Sequence, residues 1–365
     1  MNLLVFNIRT DADHPTQGVT TGWLNALGER FEHISVITMH KGRLALRKNI
    51  EVYSVGGERG VSRAMKVLNF YRLLRQTLKK RHFDGCFTHM AVLFTLLGGP
   101  ILALKGIPRI TWYAHSVINP VMFGAFMLSD AVVTASPDSF RIKAGKVKVT
   151  GHGIDTALYS RRPRAPNEVF VIGSVGRISR IKGYETLIKA VHLMIMEGCR
   201  DFKVMLYGNV QTEDDRKYRQ ELDDLCKTYG LQSFVRFPGP LKREEVPAIV
   251  SGFDVFVNML SRGGAGKAVL EAMSIEVPTL VCTPAFNQVL SPEDRLRLVF
   301  RAGDPGDLKE KIVGIMQMDN EKREMLGRRL REIVLKEHSL NGLSAKIYDL
   351  FTCLNRGRSG TRLNL

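Results

Sequence analysis

The chain is poor in cysteine, in acid and in long uncharged runs, and each shortage excludes something. Its five cysteines (Cys86, Cys199, Cys226, Cys282 and Cys353) are odd in number and widely scattered, with no Cys-x-x-Cys or His–Cys spacing. A disulfide scaffold and a structural zinc site are therefore not expected, and a reducing cytoplasm fits. The longest stretches without Asp, Glu, Lys or Arg are residues 85–104, broken by His89 and Gly98-Gly99-Pro100, and 110–129, broken by His115 and Asn119-Pro120. Neither reads as a bilayer span, and buried α/β elements are the expected use of both. The opening Met1-Asn2-Leu3-Leu4-Val5-Phe6 lacks a basic n-region and a long apolar core, so a first strand is expected there and secretion is not. No period of 20–50 residues repeats.

Acid is the shortage with the most to say. Against 53 Lys and Arg stand 36 Asp and Glu, a formal charge of +17, which recruits anions such as phosphates, acidic glycans or anionic lipid. A nucleic-acid partner is not expected, because the basic residues are not interleaved with stacking aromatics and no zinc-finger or RRM signature is present. The charge is concentrated: from Lys41 to Arg81 there are twelve Lys or Arg against Glu51 and Glu58. Within 62–81, Ala64, Leu68, Tyr71, Leu74 and Leu78 recur at helical spacing while Arg63, Lys66, Arg72, Arg75 and Lys79 fall on other faces. Two readings stay open: a helix packed on a sheet with a solvated basic face, or a helix lying on an anionic membrane surface.

Length and composition (365 residues, 44% hydrophobic, 24% charged) suit two cored domains. Apolar strand candidates alternate with amphipathic helix candidates, which predicts parallel α/β sheets. Strands are expected at 2–8, 34–39, 50–54, 84–88, 109–114, 131–135 and 147–150, then at 168–175, 202–207, 233–237, 254–258, 278–283 and 297–301. Helices are expected near 183–197, 212–229, 243–251, 266–275 and 304–317. The basic, proline-bearing segment 159–167 reads as a linker. Two doubly wound Rossmann-like domains follow, with ligand at the carboxyl ends of the strands.

Two separated segments carry the chemistry. Gly176-Arg177-Ile178-Ser179-Arg180-Ile181-Lys182-Gly183 follows an apolar run and sets two cations five residues apart at a strand end, suited to adjacent phosphates. Gly264-Ala265-Gly266-Lys267-Ala268-Val269-Leu270-Glu271 sets a glycine turn at a helix start, where free N–H groups favour an anion, and ends in a carboxylate able to accept from hydroxyls. Each has a plainer reading. Taken alone, the first is a strand-to-helix loop with solvated cations. Glu271 could simply complement a helix dipole, and His115 could be an ordinary strand-edge histidine.

These segments, with Tyr207-Gly208, Val235-Arg236-Phe237-Pro238-Gly239, Phe253-Asp254-Val255-Phe256-Val257 and Val277-Pro278 in the same order, resemble the family 4 glycosyltransferases of the GT-B fold. The resemblance is good over roughly 150–320. It is weaker earlier, at Thr16-Gln17-Gly18-Val19, Tyr113-Ala114-His115 and Gly151-His152-Gly153-Ile154-Asp155. It implies an acceptor-side domain over 1–157, a donor-binding domain over 158–339, and a C-terminal helix, about 340–365, packing back on the first, with a frayed tail from Asn355. It further implies a retaining, metal-independent transferase with no cofactor, moving a sugar from a nucleotide-diphosphate donor to a glycan or lipid-linked acceptor. Such an enzyme would serve surface polysaccharide or glycolipid synthesis in the cytoplasm, peripheral to the inner membrane face.

By position, Arg177 and Lys182 match the family's diphosphate cations, and His115 its histidine near donor sugar and acceptor. Gly18, Gly176, Gly239, Gly264, Ala265, Gly266 and Lys267 match backbone and side-chain contacts to the donor, with Gly18 at a place where a Cβ would crowd the ligand. Glu271 matches the carboxylate to the ribose, and no metal site is implied. Two positions depart. Gly263 stands where the family has a second carboxylate for the donor sugar, which leaves a silent nucleotide- or glycan-binding protein as the alternative. Glu276 stands where a glycine usually closes the helix carrying Glu271.

Overall fold

The computed structural model describes residues 1–14, 17–115, 117–163, 167–262 and 266–361. The chain divides into two compact units, Met1–Gly153 with His338–Leu365, and Ile154–Glu337.

In the first unit, strands β1 (Asn2–Thr10), β2 (His33–Lys41), β3 (Ile50–Ser54), β4 (Gly85–His89), β5 (Arg109–Trp112), β6 (Ala131–Thr134) and β7 (Val147–Val149) alternate with helices α1 (Val19–Gly28), α2 (Arg63–Lys80), α3 (Val92–Leu104) and α4 (Pro120–Leu128). The sheet order is β3-β2-β1-β4-β5-β6-β7, and every pairing is parallel. Such a sheet is covered on both faces, so its strands are apolar throughout rather than alternating. In β1, Leu3 and Val5 enter one core with α1, while Leu4 and Phe6 enter another with α2 and α3.

Helix α2 starts where Ser62 Oγ accepts from the Met65 amide at 3.2 Å. Its buried line is Phe70, Leu74 and Thr77, not the expected one through Leu68 and Tyr71. Phe70 decides the rotation: its ring stacks on Phe94 with centroids 4.7 Å apart and meets Phe6 edge-on at 5.3 Å, a larger apolar contact than Leu68 could make.

The second unit holds β8 (Phe170–Val175), β9 (Phe202–Tyr207), β10 (Val235–Gly239), β11 (Val255–Asn258) and β12 (Thr279–Val281). Its helices are α5 (Tyr184–Met196), α6 (Glu213–Thr228), α7 (Val246–Ser251), α8 (Lys267–Ser274), α9 (Pro292–Leu298), α10 (Pro305–Met316) and α11 (Asn320–Ile333). The parallel order is β10-β9-β8-β11-β12. The strand expected at 297–301 is not formed. Ser291 caps α9 through the Asp294 amide and Pro292 starts it, so the helix runs to Leu298 and leaves Val299 a single bridge to Val281.

After one π-helical turn (Val334–His338), α12 (Leu340–Thr361) returns to the first unit. There Leu343, Ile347 and Phe351 share a core with Trp23, Leu27 and Phe31 of the α1 side. Backbone expected to fray from Asn355 is helical to Thr361.

The linker reading of 159–167 also needs correction: the division falls at Gly153, and the described residues 159–163 and 167 belong to the second unit. Tyr159 is buried, its carbonyl accepting from Ser274 Oγ at 2.6 Å. The Arg162 amide donates to Ser251 Oγ at 2.9 Å, and Asn167 donates to Asp254 at 2.8 Å.

In each sheet the strand order reverses beside a central strand, between β1 and β4 and between β8 and β11. The crevice outside the carboxyl ends of such a pair is where a doubly wound sheet binds ligand.

Candidate active site

Both halves of the split sequence leave the second sheet at its switch point. The chain runs off β8 into Gly176-Arg177, and off β11 into the loop that starts α8. The adjacent strands end there too: the Gly176 amide donates to the Tyr207 carbonyl at 2.9 Å, and the Gly208 amide donates to the Gly239 carbonyl at 2.9 Å. The backbones are pressed together at this edge. A Cβ on Gly208 would collide with the Gly176 carbonyl, so only glycine lets β9 end against the loop that follows β8.

Arg177 is held by Asp215, whose carboxylate lies 3.8 Å from Nε. Asp215 is itself fixed, because it and Thr212 form a capping box at the start of α6. Lys182 closes a single 3₁₀ turn, Arg180–Lys182, which ends in Gly183 at φ 64°. Its side chain lies over the Gly176 backbone, since a Cβ there would be 3.6 Å from Lys182 Cε and 3.8 Å from Nζ. Burial, and then the Arg177 guanidinium beside it, push the Lys182 ammonium below the usual lysine range. Among the described residues no carboxylate pairs with it. Two cations thus share a strand end with one buried anion set behind Arg177.

The floor beneath them is rigid. Tyr184, the first residue of α5, is buried and reaches the Gly176 carbonyl with its hydroxyl at 3.4 Å, and its amide donates to Tyr218 Oη at 2.9 Å. Helix α5 therefore begins directly behind the Lys182 turn, where its dipole adds positive potential.

Across the switch point, Glu271 lies on α8, one turn from Lys267, with Nζ 3.6 Å from its carboxylate. Burial, partly offset by Glu271, lowers the Lys267 ammonium. Glu271 is largely buried, and its charge helps burial push the Tyr159 phenol above the usual tyrosine range. Arg243 approaches Asp155 at 3.8 Å on the same side. Gly266 caps α8, whereas Gly263, Gly264 and Ala265 lie outside the described residues.

The structure thus brings Arg177, Lys182, Gly176, Gly239, Gly266, Lys267 and Glu271 to the carboxyl edge of one sheet. Gly18 and His115 belong to the other unit. Gly18 is the N-cap of α1, and a Cβ on it would meet the carbonyls of Ala12 and His14, both at 2.8 Å, rather than open space. His115 is exposed beyond β5, with Nδ1 accepting from the Val117 amide at 3.2 Å. Thr16 lies outside the described residues.

Three residues of the site escape sequence reasoning. Asp215 had a legible signal in its capping box. Tyr159, far from Glu271 in sequence and inside an apparent linker, had none, and nor did Arg243. Among the described residues no three His, Cys, Asp or Glu side chains gather as a metal site, and no helix is long and apolar enough to cross a membrane.

Residues 155–333 match the family model described as "Glycosyl transferases group 1". They form a group 1 glycosyl transferase domain. Its match covers the second unit almost end to end, including both halves of the split sequence. The chain is 29% identical over 265 residues to the capsular polysaccharide biosynthesis glycosyltransferase CapM of Staphylococcus aureus, covering 68% of this chain and 66% of that one. It is 27% identical over 203 residues to WcaL of Escherichia coli, named for colanic acid biosynthesis, covering 54% and 48%. The chain therefore spans about half to two thirds of the length of these relatives. Among solved structures, HepE of Anabaena in complex with UDP superposes with a TM-score of 0.74 at 16% identity, over 97% of this chain and all of that one. That likeness gives the fold, two doubly wound α/β units of the GT-B class, with the group 1 domain as the second.

Proposed function

We propose that the chain is a retaining, metal-independent glycosyltransferase that moves a sugar from a nucleoside-diphosphate donor to a hydroxyl of a glycan or lipid-linked acceptor, in surface polysaccharide or glycolipid synthesis. The observation that carries it is the pair Arg177 and Lys182 past the end of β8, beside β11, the strand whose chain continues into α8 and Glu271. In the transfer, the bond from sugar C1 to the diphosphate oxygen breaks with its electron pair leaving on the diphosphate, a bond from C1 to the acceptor oxygen forms, and the acceptor proton passes to the departing diphosphate. Negative charge grows on the departing diphosphate, and two fixed cations at a helix start stabilise it without a metal ion. Glu271, held by Lys267 and Tyr159, accepts from the ribose hydroxyls. Gly18 and His115 serve the sugar and acceptor side. HepE, similar in fold, was crystallised with UDP and with UDP-glucose, and the names of CapM and WcaL support an extracellular glycan as the product. Cytoplasmic work on a lipid-linked acceptor fits the chain's basic charge.

Gly263 favours a second reading, a protein that binds nucleotide or glycan without transfer. One experiment separates the two: release of free nucleotide from a panel of nucleotide sugars, with and without acceptor glycans. Release that survives EDTA and falls at least a hundredfold in Lys182→Ala is the expected result. Nucleotide binding with no release from any donor selects the second reading, and release abolished by EDTA overturns the metal-free mechanism.

A further inference from the structure

One face of the first sheet is covered by α2, α3 and α4, which form a continuous layer. Phe70 of α2 stacks on Phe94 of α3, and Tyr71 Oη donates to the Leu97 carbonyl at 3.3 Å. The contact between α3 and α4 is closer still: a Cβ on Gly124 would come within 2.8 Å of Leu96, and one on Gly99 within 3.1 Å of Leu128. The outer surface of this layer is apolar. Leu68, Tyr71, Leu93, Leu104, Phe123 and Met127 are exposed by 39% to 90%. Helix α4 carries no polar side chain from Pro120 to Leu128, and the only one in α3 is the buried Thr95. Apolar exposure on three adjacent helices marks an interaction surface.

Charge on the same layer has one sign. From residue 59 to residue 129 there are ten Lys or Arg and one acid, Asp84. Asp84 accepts from the Asn2 amide at 2.6 Å, at the start of β1. On α2, Arg72, Arg75 and Lys79 continue the exposed stripe begun by Met65 and Leu68, and among the described residues none of the three has a carboxylate partner.

We propose that the α2–α3–α4 face docks on a bilayer containing anionic lipid. The exposed side chains of α3 and α4 enter the acyl boundary, while the cations of α2 lie among the lipid phosphates. Both components are needed for lasting attachment of an interfacial surface, since apolar area supplies depth and charge supplies attraction. A nucleic acid would match the cations but leave Leu104, Phe123 and Met127 in water. The inference stands on the first unit alone and does not require the transfer reaction.

The test is flotation of the full chain with vesicles of phosphatidylcholine, with or without roughly one-third phosphatidylglycerol. Wild type is expected to partition at least tenfold more onto the anionic vesicles, and less so at high salt, where screening shortens the range of the charges. Arg72→Glu/Arg75→Glu/Lys79→Glu should lose about a hundredfold, and Leu104→Glu and Phe123→Glu at least tenfold each. Leu296→Glu, on an exposed position of the second unit, should float as wild type does. Should Phe123→Glu fail to fold, Leu104→Glu carries the test, because its side chain is nine-tenths exposed. Wild type that does not float, or Leu104→Glu that floats unchanged, overturns the proposal. A solution dimer whose mass halves in Leu104→Glu, without flotation of wild type, replaces the bilayer with a second copy of the chain.

Discussion

Lys182 is a cation kept largely from water beside a second cation, Arg177, and the fold gives it no anion among the described residues. Its ammonium is lowered from 10.5 in the folded chain. In the charged form it therefore costs stability at all pH values below its folded pKa, and the cost disappears as pH rises toward 10.5. Lys182→Met should accordingly raise the thermal midpoint at neutral pH, with the gain shrinking as pH rises through the alkaline range. The same variant should weaken nucleoside-diphosphate binding by about tenfold or more. Bound diphosphate would push the ammonium back up, so wild-type affinity should fall as pH rises past the folded pKa, with proton uptake on binding as pH nears and passes that folded pKa. Calorimetry in buffers of different ionisation enthalpy reads this directly. A Lys182→Met chain less stable than wild type at pH 7 would mean that the lysine is structural. The strain at this position is legible in sequence only as two cations five apart. Its burial comes from folding back over the Gly176 backbone, a path that the spacing of the two cations does not announce.

At the scale of elements, helix α8 shows what a helix end can tolerate. Glu276 closes the turn after α8 in the left-handed region, at φ 65°, where a residue with a Cβ is strained by about 1–2 kcal/mol. Its carboxylate lies 3.9 Å from Arg161 and 3.7 Å from Arg331, and Arg331 also donates to the Ser274 carbonyl at the end of α8. Two terms are thus superposed, and a pair of variants separates them. Glu276→Ala keeps the strain and loses the ion pairs, whereas Glu276→Gly loses both. The glycine variant should be the more stable by about 1 kcal/mol in urea unfolding. Equal stability would mean the turn relaxes when the carboxylate goes.

Element types and order were largely readable from periodicity, because buried parallel strands such as Leu3 to Phe6 are apolar without a break. The failures were choices between nearly equal patterns. Helix α2 offers two apolar stripes, and Phe70 with its aromatic neighbours selects the less obvious one. The 297–301 segment is apolar enough for a strand, but Ser291 and Pro292 commit the preceding residues to a helix. The 159–167 segment has linker composition, yet Tyr159 anchors it to Ser274 through a contact that no local pattern contains. The candidate site was legible as two motifs because its key residues sit just past two strand ends. It was illegible where support comes from distant elements, as with Tyr159 and Arg243 around Glu271.

For the molecule as a whole, the ownership of α12 matters most. Phe351 is fully buried and fills the space over Gly85 at the start of β4, where a Cβ would strike its ring. Phe351→Ala should cost the first unit about 3–5 kcal/mol. Differential scanning calorimetry should then show an early transition for that unit, while a transition belonging to the second unit keeps its midpoint and alone rises with added nucleoside diphosphate. A single cooperative transition that shifts as one would show that the two units unfold together.

The place of α12 also fixes an order of events during synthesis. Trp23 and Phe31 leave the ribosome early, but Leu343 and Phe351, which complete their core, are made more than three hundred residues later. At about 5–20 residues per second the interval is on the order of tens of seconds. The second unit, contiguous from Ile154 to Glu337, can close its core first. The first unit of the nascent chain must meanwhile keep an open apolar face shielded from its neighbours, a natural client for a chaperone that releases it only when α12 arrives.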